Sequence, residues 1–173
     1  VDDKWKDSMD DYNVMLVTIG RSSTENGTYL PGVDGVDASQ DLNQTDPLGL
    51  SDDERDLINA AVEAKENNGG KVIVMLNNAN AMEIDEIKNN DGVDAIMEIG
   101  LPGGYGFYGV ADVLSGEANP SGHLTDTYAV TNANSPAAQN FGNYAWTNAD
   151  PSVNINAEEV EAEGIYTGHK YYE

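Results

Sequence analysis

The chain has 173 residues, of which 39 % are hydrophobic, a proportion typical of a globular domain with its own core. Eight lysines and arginines stand against 31 aspartates and glutamates, and the net charge of −23 excludes nucleic acid and anionic membrane surfaces as favourable partners. Cysteine is absent and only two histidines are present, so disulfides, thiolate nucleophiles and multi-histidine metal sites are excluded within this chain. We predict neither a metal nor a cofactor.

The first predicted strand, Tyr12–Gly20, is a continuous apolar run closed by glycine. Such a run is typical of a strand buried on both faces of a parallel sheet. Residues 21–49 follow as a polar stretch without periodicity, and a stretch of this length in a compact domain is more often functional than not. Its aspartates lack the 1-3-5 spacing of an EF hand, which favours a solvated acidic loop over a calcium site. These aspartates are Asp34, Asp37, Asp41 and Asp46.

A helix is predicted to begin after Ser51. The Ser51 side chain can cap the first turn while Glu54 reaches back to the cap, which is the capping-box pattern. Two asparagines and two glycines at 67–70 predict the end of this helix.

Two further strands and two further helices follow in alternation. We predict strands at Lys71–Asn77 and Val93–Ile99 and helices at Met82–Lys88 and Phe107–Leu114. The order of strand, helix and strand indicates a parallel sheet with right-handed crossovers. The glycine-rich Gly100–Gly106, after the third strand, is therefore the first candidate for the functional edge, because parallel sheets place their working loops at the carboxyl ends of strands, and residues 21–49 are the second.

The pattern becomes weaker beyond Gly116. We predict short strands at His123–Val130 and Glu163–Tyr172, the latter from alternation of residue types. Residues 132–156 are rich in Asn, Ala, Ser and Pro and are interpreted as a surface excursion.

The stretch that begins at Leu101 carries a family resemblance. Leu101–Gly106 reads LPGGYG, and Ala111–Leu124 reads ADVLSGEANPSGHL. Together they resemble the C-terminal α/β sandwich domain of the family 3 glycoside hydrolases, which include β-glucosidases and β-xylosidases. Val72–Ile84, Leu50–Glu54 and the terminal Glu163–Tyr172 support the resemblance. The chain departs from the family pattern at His123–Thr125, where Arg or Lys followed by Leu-Pro is usual.

The resemblance implies a fold and a larger protein. The fold is a three-layer (α/β)6 sandwich with a mainly parallel, flavodoxin-like sheet, formed by residues 1–173 as a single domain. Residues 157–173 are a possible connection to a following domain. The expected partners are a β-linked glycoside and a (β/α)8-type barrel that carries the Asp nucleophile, and we expect the isolated chain to be inactive because that barrel is not in these residues.

The resemblance also points to Glu25. Family members commonly carry the acid/base glutamate in a pattern like Gly-Arg-x-Ser-Gly-Glu-Gly, and the matching stretch Gly20–Gly27 reads GRSSTENG. A solvated loop glutamate is the alternative for Glu25. Arg21 is a candidate for binding a sugar hydroxyl or, equally, for pairing with a nearby acid. Tyr105 is a candidate for stacking on a sugar ring or for packing.

Two other functional classes remain open. A non-catalytic carbohydrate-binding or interaction module of the same fold would explain the altered residues Thr24 and Asn26 around Glu25. A nucleotide- or flavin-binding domain shares the strand–loop–helix pattern, but its phosphate loop needs a helix N-terminus close behind Gly20, and no helix is predicted there.

Overall fold

The fold is a parallel α/β sheet with helices. The structure is a computed structural model that describes residues 4–21, 46, 48–140 and 161–172. Its strands are β1 (Val14–Gly20), β2 (Lys71–Asn77) and β3 (Ala95–Glu98), paired in parallel in the order β1-β2-β3. The three strands lie where the sequence predicts them, with β1 and β3 each two residues shorter at the start and β3 one residue shorter at the end. The α/β class with a parallel sheet is confirmed.

The helices alternate with the strands and continue beyond them. They are α1 (Lys4–Asp7), α2 (Asp52–Asn68), α3 (Asp85–Lys88), α4 (Gly103–Ser115), α5 (Pro136–Asn140) and α6 (His169–Tyr172), with 3-10 turns at Met9–Asp11 and Asn132–Asn134. None of the helices in these described ranges is long and apolar enough to cross a membrane.

Helix α2 begins with the predicted capping box. The Glu54 amide donates to Ser51 Oγ at 3.2 Å, and the Ser51 amide donates to Glu54 Oε2 at 2.8 Å. At the other end Gly69 adopts φ of 75°, a left-handed conformation that glycine accepts without strain, and its amide bonds to the Lys65 carbonyl. Both predicted ends of this helix are confirmed.

The core lies between α2 and one face of the sheet. Alternate strand residues point into it, as the period of two requires. The members from the strands and α2 are Met15, Val17, Ile19, Val72, Val74, Leu76, Ile58, Ala61 and Ala64. On the opposite face of β1, Val14 and Leu16 are 51 % and 47 % exposed. The prediction that this strand is buried on both faces is therefore wrong for the described residues, because none of them covers that side.

Helix α4 lies along the opposite face of the sheet and leaves a cleft. The cleft has a volume of about 1210 Å³. Its apolar walls are Ile73, Ala95 and Met97 from the sheet and Val110, Val113 and Leu114 from α4. No residue of α4 is buried. The helix also begins at Gly103 rather than Phe107, and the Gly106 amide donates to the Pro102 carbonyl at 3.0 Å in its first turn.

Two predicted strands are not observed, and one predicted helix is shorter. Residues 123–130 form no strand, and residues 163–172 form a turn followed by α6. Gly164 and Gly168 have φ of 58° and 53°, which interrupt an extended run despite its alternating residue types. Helix α3 occupies only the second half of Met82–Lys88.

Gly92 supplies a test of the packing between α2 and the turn before β3. A Cβ atom at Gly92 would lie 2.3 Å from Val62 Cγ1. We expect Gly92→Ala to lower the free energy of unfolding by about 1–3 kcal/mol because the short Val62 side chain must move. Gly109→Ala is the matched control, since a Cβ there meets no atom within 4 Å and alanine favours the helix by up to about 1 kcal/mol. Urea unfolding measures the free energy of unfolding of both variants. Equal stability of the two would contradict the close packing of Gly92 against Val62.

Candidate functional site

The candidate site is the edge of the sheet where all three strands end. Gly20 pairs with Asn77, and Leu76 pairs with Glu98, so the strands finish level with one another. The Arg21 amide donates to the Asn77 carbonyl at 3.3 Å, and Asn77 Nδ2 donates to the Gly100 carbonyl at 2.6 Å. These bonds extend the ladder past the strands and hold the first residues of three loops side by side.

Arg21 is the first residue after β1, and it is only 4 % exposed. Its guanidinium binds Glu54 in a bidentate manner, with Nη1 donating to Oε1 at 2.5 Å and Nη2 donating to Oε2 at 2.9 Å. The same two nitrogens donate to the carbonyls of Gly20 and Gly49, each at 2.8 Å. The Gly49 contact means that Arg21 binds the chain both where the long polar segment leaves the sheet and where it returns.

Glu54 connects this ion pair to the start of α2. Burial alone would raise the pKa of Glu54, but hydrogen bonds from Arg21 and Ser51, together with the charge of Arg21, lower the pKa below its ordinary value. The carboxylate is therefore ionised at neutral pH, where it neutralises a buried guanidinium and caps a helix.

The structure bears on the three predicted site residues in different ways. Arg21 is paired with an acid, which is the second of the two roles considered for it. Tyr105 lies in the first turn of α4, is 88 % exposed, and has its ring centroid 6.5 Å from that of Tyr108. Its packing role is not observed among the described residues, and its sugar-binding role stays a prediction. Glu25 lies outside the described residues.

Glu98 is a carboxylate at this edge that the sequence reasoning passed over. Its Oε1 accepts from the Gly100 amide at 2.7 Å, and its Oε2 accepts from the Tyr128 hydroxyl at 2.9 Å. Burial, followed by the hydrogen bond and charge of Glu98, raises the pKa of Tyr128 well above its ordinary value. The signal in the sequence is a charged residue at the carboxyl end of an otherwise apolar strand.

Three segments of the chain meet at Glu83. Its amide donates to the Leu48 carbonyl at 2.9 Å, and its Oε1 accepts from the Asn132 amide at 2.5 Å. Burial raises the pKa of Glu83, the Asn132 amide opposes the rise, and the hydrogen-bonded carboxyl of Asp46 adds to it. Glu83 therefore joins the returning end of the polar segment, the loop after β2 and the 3-10 turn at Asn132–Asn134.

The described residues offer little to a metal or a phosphate. Across residues 4–21, 46, 48–140 and 161–172, no three His, Asp or Glu side chains are grouped so that they could hold a metal ion. The N-terminus of α2 is occupied by its own cap and carries Asp52, Asp53 and Glu54 in its first turn. An incoming phosphate would meet three carboxylates there, which disfavours the nucleotide-binding alternative.

The buried ion pair predicts a pH-dependent effect of Glu54→Gln. The amide keeps the size of the side chain but removes the negative charge that Glu54 places beside the Arg21 guanidinium, so we expect a loss of about 3 kcal/mol in the free energy of unfolding at pH 7. Because the folded pKa of Glu54 is lowered, the carboxylate stabilises the fold above the unfolded glutamate pKa of about 4.3. That contribution is lost as the pH falls through the folded value.

Urea titrations at pH 7 and pH 3 measure this difference. Glu86→Gln is the control, since it breaks the exposed pair with Arg55 and should cost less than about 1 kcal/mol. A Glu54→Gln loss that is the same at both pH values would contradict the assignment.

Comparisons with known proteins agree with the observed fold. Residues 2–169 match the model of the glycosyl hydrolase family 3 C-terminal domain. Thermostable beta-glucosidase B of Acetivibrio thermocellus is 28 % identical over 168 residues, which are 96 % of this chain and 20 % of that protein. Probable beta-D-xylosidase 6 of Arabidopsis thaliana is 32 % identical over 100 residues, 56 % of this chain and 12 % of that protein.

A solved structure is similar over nearly the whole chain. Beta-glucosidase 3B from Thermotoga neapolitana, in complex with glycerol, superposes with a TM-score of 0.72 and 31 % identity. The match covers 99 % of this chain and 21 % of that one, and the complex of the same enzyme with glucose gives a TM-score of 0.71. The chain thus spans about a fifth of the length of these β-glucosidases.

Proposed function

The chain belongs to the glycosyl hydrolase family 3 C-terminal domain family, and from that membership we propose that it is the sandwich domain of a retaining β-glycosidase acting on β-glucosides or β-xylosides. Its role in this proposal is to complete the sugar pocket and to supply the acid/base carboxyl from Glu25. The nucleophilic aspartate belongs to a barrel domain outside these residues.

The position of Arg21 at the carboxyl edge is the observation that carries the proposal. Glu25 is four residues further along the chain, so its Cα lies within about 14 Å of that of Arg21. The segment that carries Glu25 leaves the sheet at Arg21, at the edge where parallel α/β sheets bind their ligands.

The chemistry requires two carboxyl groups that approach one sugar from different sides. In a retaining glycosidase they lie about 5–5.5 Å apart. In this proposal the aspartate attacks the anomeric carbon while the Glu25 carboxyl protonates the departing glycosidic oxygen. Glu25 then accepts a proton from the water that releases the sugar. Neither carboxyl completes the reaction alone.

The division of the two carboxyls between domains predicts that this chain alone has no glycosidase activity. The test is to assay 4-nitrophenyl β-glucoside and β-xyloside hydrolysis by the chain of residues 1–173 and by the longer protein that contains it. We expect turnover only from the longer protein, since the chain supplies no nucleophile. Clear hydrolysis by the chain alone would overturn the division.

Glu25→Ala in the longer protein tests the acid/base role. We expect kcat for alkyl β-glucosides, whose leaving groups need protonation, to fall by about 10²–10⁴-fold. Cleavage of 2,4-dinitrophenyl β-glucoside should be affected far less at the glycosylation step, and azide should accelerate its turnover by replacing the water that Glu25 no longer activates. Kinetics with both substrates provide the measurement.

Glu66→Ala, an exposed acid on α2, is the matched control and should leave both substrates unaffected. Unchanged kinetics of Glu25→Ala would remove Glu25 from the site and favour the non-catalytic carbohydrate-binding module.

A further inference from the structure

We propose that Arg21 and Glu54 act as positioning residues for the acid/base carboxyl, by holding together the two ends of the segment that carries Glu25. This inference rests on the proposed function, because it assigns the acid/base role to that segment. It gives a role to two residues, 33 positions apart in the chain, for which neither the family match nor the names of the relatives state a role.

The contacts of Arg21 reach both ends of the segment. Its Nη1 bonds to the Gly20 carbonyl at the departure, and its Nη2 bonds to the Gly49 carbonyl at the return, each at 2.8 Å. The Arg21 amide is also fixed to the Asn77 carbonyl on β2. A single rigid guanidinium thus sets the spacing of the two ends relative to the sheet edge.

Glu54 determines where that guanidinium lies. Both carboxylate oxygens bind Arg21, and Oε2 also accepts from the Ser51 amide at 2.8 Å. Glu54 is on the first turn of α2, which packs on the sheet through Ile58 and Ala61. The core helix therefore fixes the position of the guanidinium through Glu54.

The burial of the pair makes it suited to positioning. The Arg21 side chain is fully buried, and that of Glu54 is 17 % exposed. The neighbouring pair of Arg55 with Glu86 has similar chemistry, but its side chains are 39 % and 56 % exposed. A buried bidentate pair has one geometry, whereas an exposed pair exchanges with water.

The consequence for catalysis follows from geometry. A proton is delivered to the glycosidic oxygen only when the carboxyl is within hydrogen-bond reach of it, and a displacement of about 1 Å costs roughly 10²-fold in rate. Loss of the pair should therefore reproduce, in weaker form, the loss of Glu25 itself.

The test compares two double variants in the longer protein. Arg21→Met/Glu54→Gln removes both charges of the pair together, so neither Arg21 nor Glu54 is left facing the other's site as a lone charge, and the glutamine oxygen still accepts from Ser51. Arg55→Met/Glu86→Gln is the matched control, which removes the exposed pair one position further along α2. Arg21→Lys is the conservative variant, which keeps the charge but has no planar group to bridge Glu54 and both carbonyls.

We expect the buried-pair variant to lose about 10-fold or more in kcat for an alkyl β-glucoside, and less than about 3-fold in kcat/KM for 2,4-dinitrophenyl β-glucoside. Azide should raise its turnover of the dinitrophenyl substrate, as for Glu25→Ala. Arg21→Lys should be intermediate, and the exposed-pair control should match the unmodified protein on both substrates.

Each other result has a definite meaning. An equal loss on both substrates without azide rescue would mean a purely structural pair and would overturn the inference, as would wild-type kinetics of the buried-pair variant. If Glu25→Ala shows the leaving-group effect in the same experiment, the proposed function stands in either case. If Glu25→Ala shows none, the proposed function fails, and the inference fails with it.

Discussion

The buried ion pair between Arg21 and Glu54 connects the end of the first strand to the start of the first long helix, and the rest of the fold depends on this connection. A guanidinium without solvent contact is costly unless its charge and its donors are matched. Here the carboxylate supplies the charge, and two backbone carbonyls take further donors. The same carboxylate caps α2, so one side chain satisfies both the strand end and the helix end.

Local signals account for the parts of the fold that were predicted correctly. The capping box at Ser51 and Glu54 and the left-handed Gly69 depend on neighbours within a few residues, and both are visible in the sequence. The three strands are apolar runs bounded by glycine, asparagine or acidic residues, and a parallel order follows from the helices between them. The alternation at 163–172 was a false signal because two of its residues are glycines with positive φ.

The candidate site could not be predicted in full, because it depends on contacts between residues that are distant in the sequence. Arg21 and Glu54 were each singled out, one as a possible sugar ligand and one as a cap, yet nothing in their spacing shows that they bind each other across 33 residues. Glu98 was hidden in an apolar run, although its bonds to Gly100 and Tyr128 place it at the strand ends. The missing information is tertiary, because the packing of α2 on the sheet brings Glu54 to Arg21, and the path of the chain after α4 brings Tyr128 to Glu98.

Because cations are scarce in this chain, the buried Arg21–Glu54 pair is one of few ion pairs available to hold separate elements together. The chain has eight lysines and arginines for 31 acids, so there are too few cations to give most carboxylates one of their own. Other ion pairs also join separate elements: Lys65 of α2 and Lys71 of β2 both bind Asp94 before β3, and Arg55 of α2 binds Glu86 of α3. Those three ion pairs are at least partly open to solvent and weaken as salt increases. Arg21 is shielded from solvent, so its attachment of the polar segment to the core should persist at salt concentrations that weaken the other three.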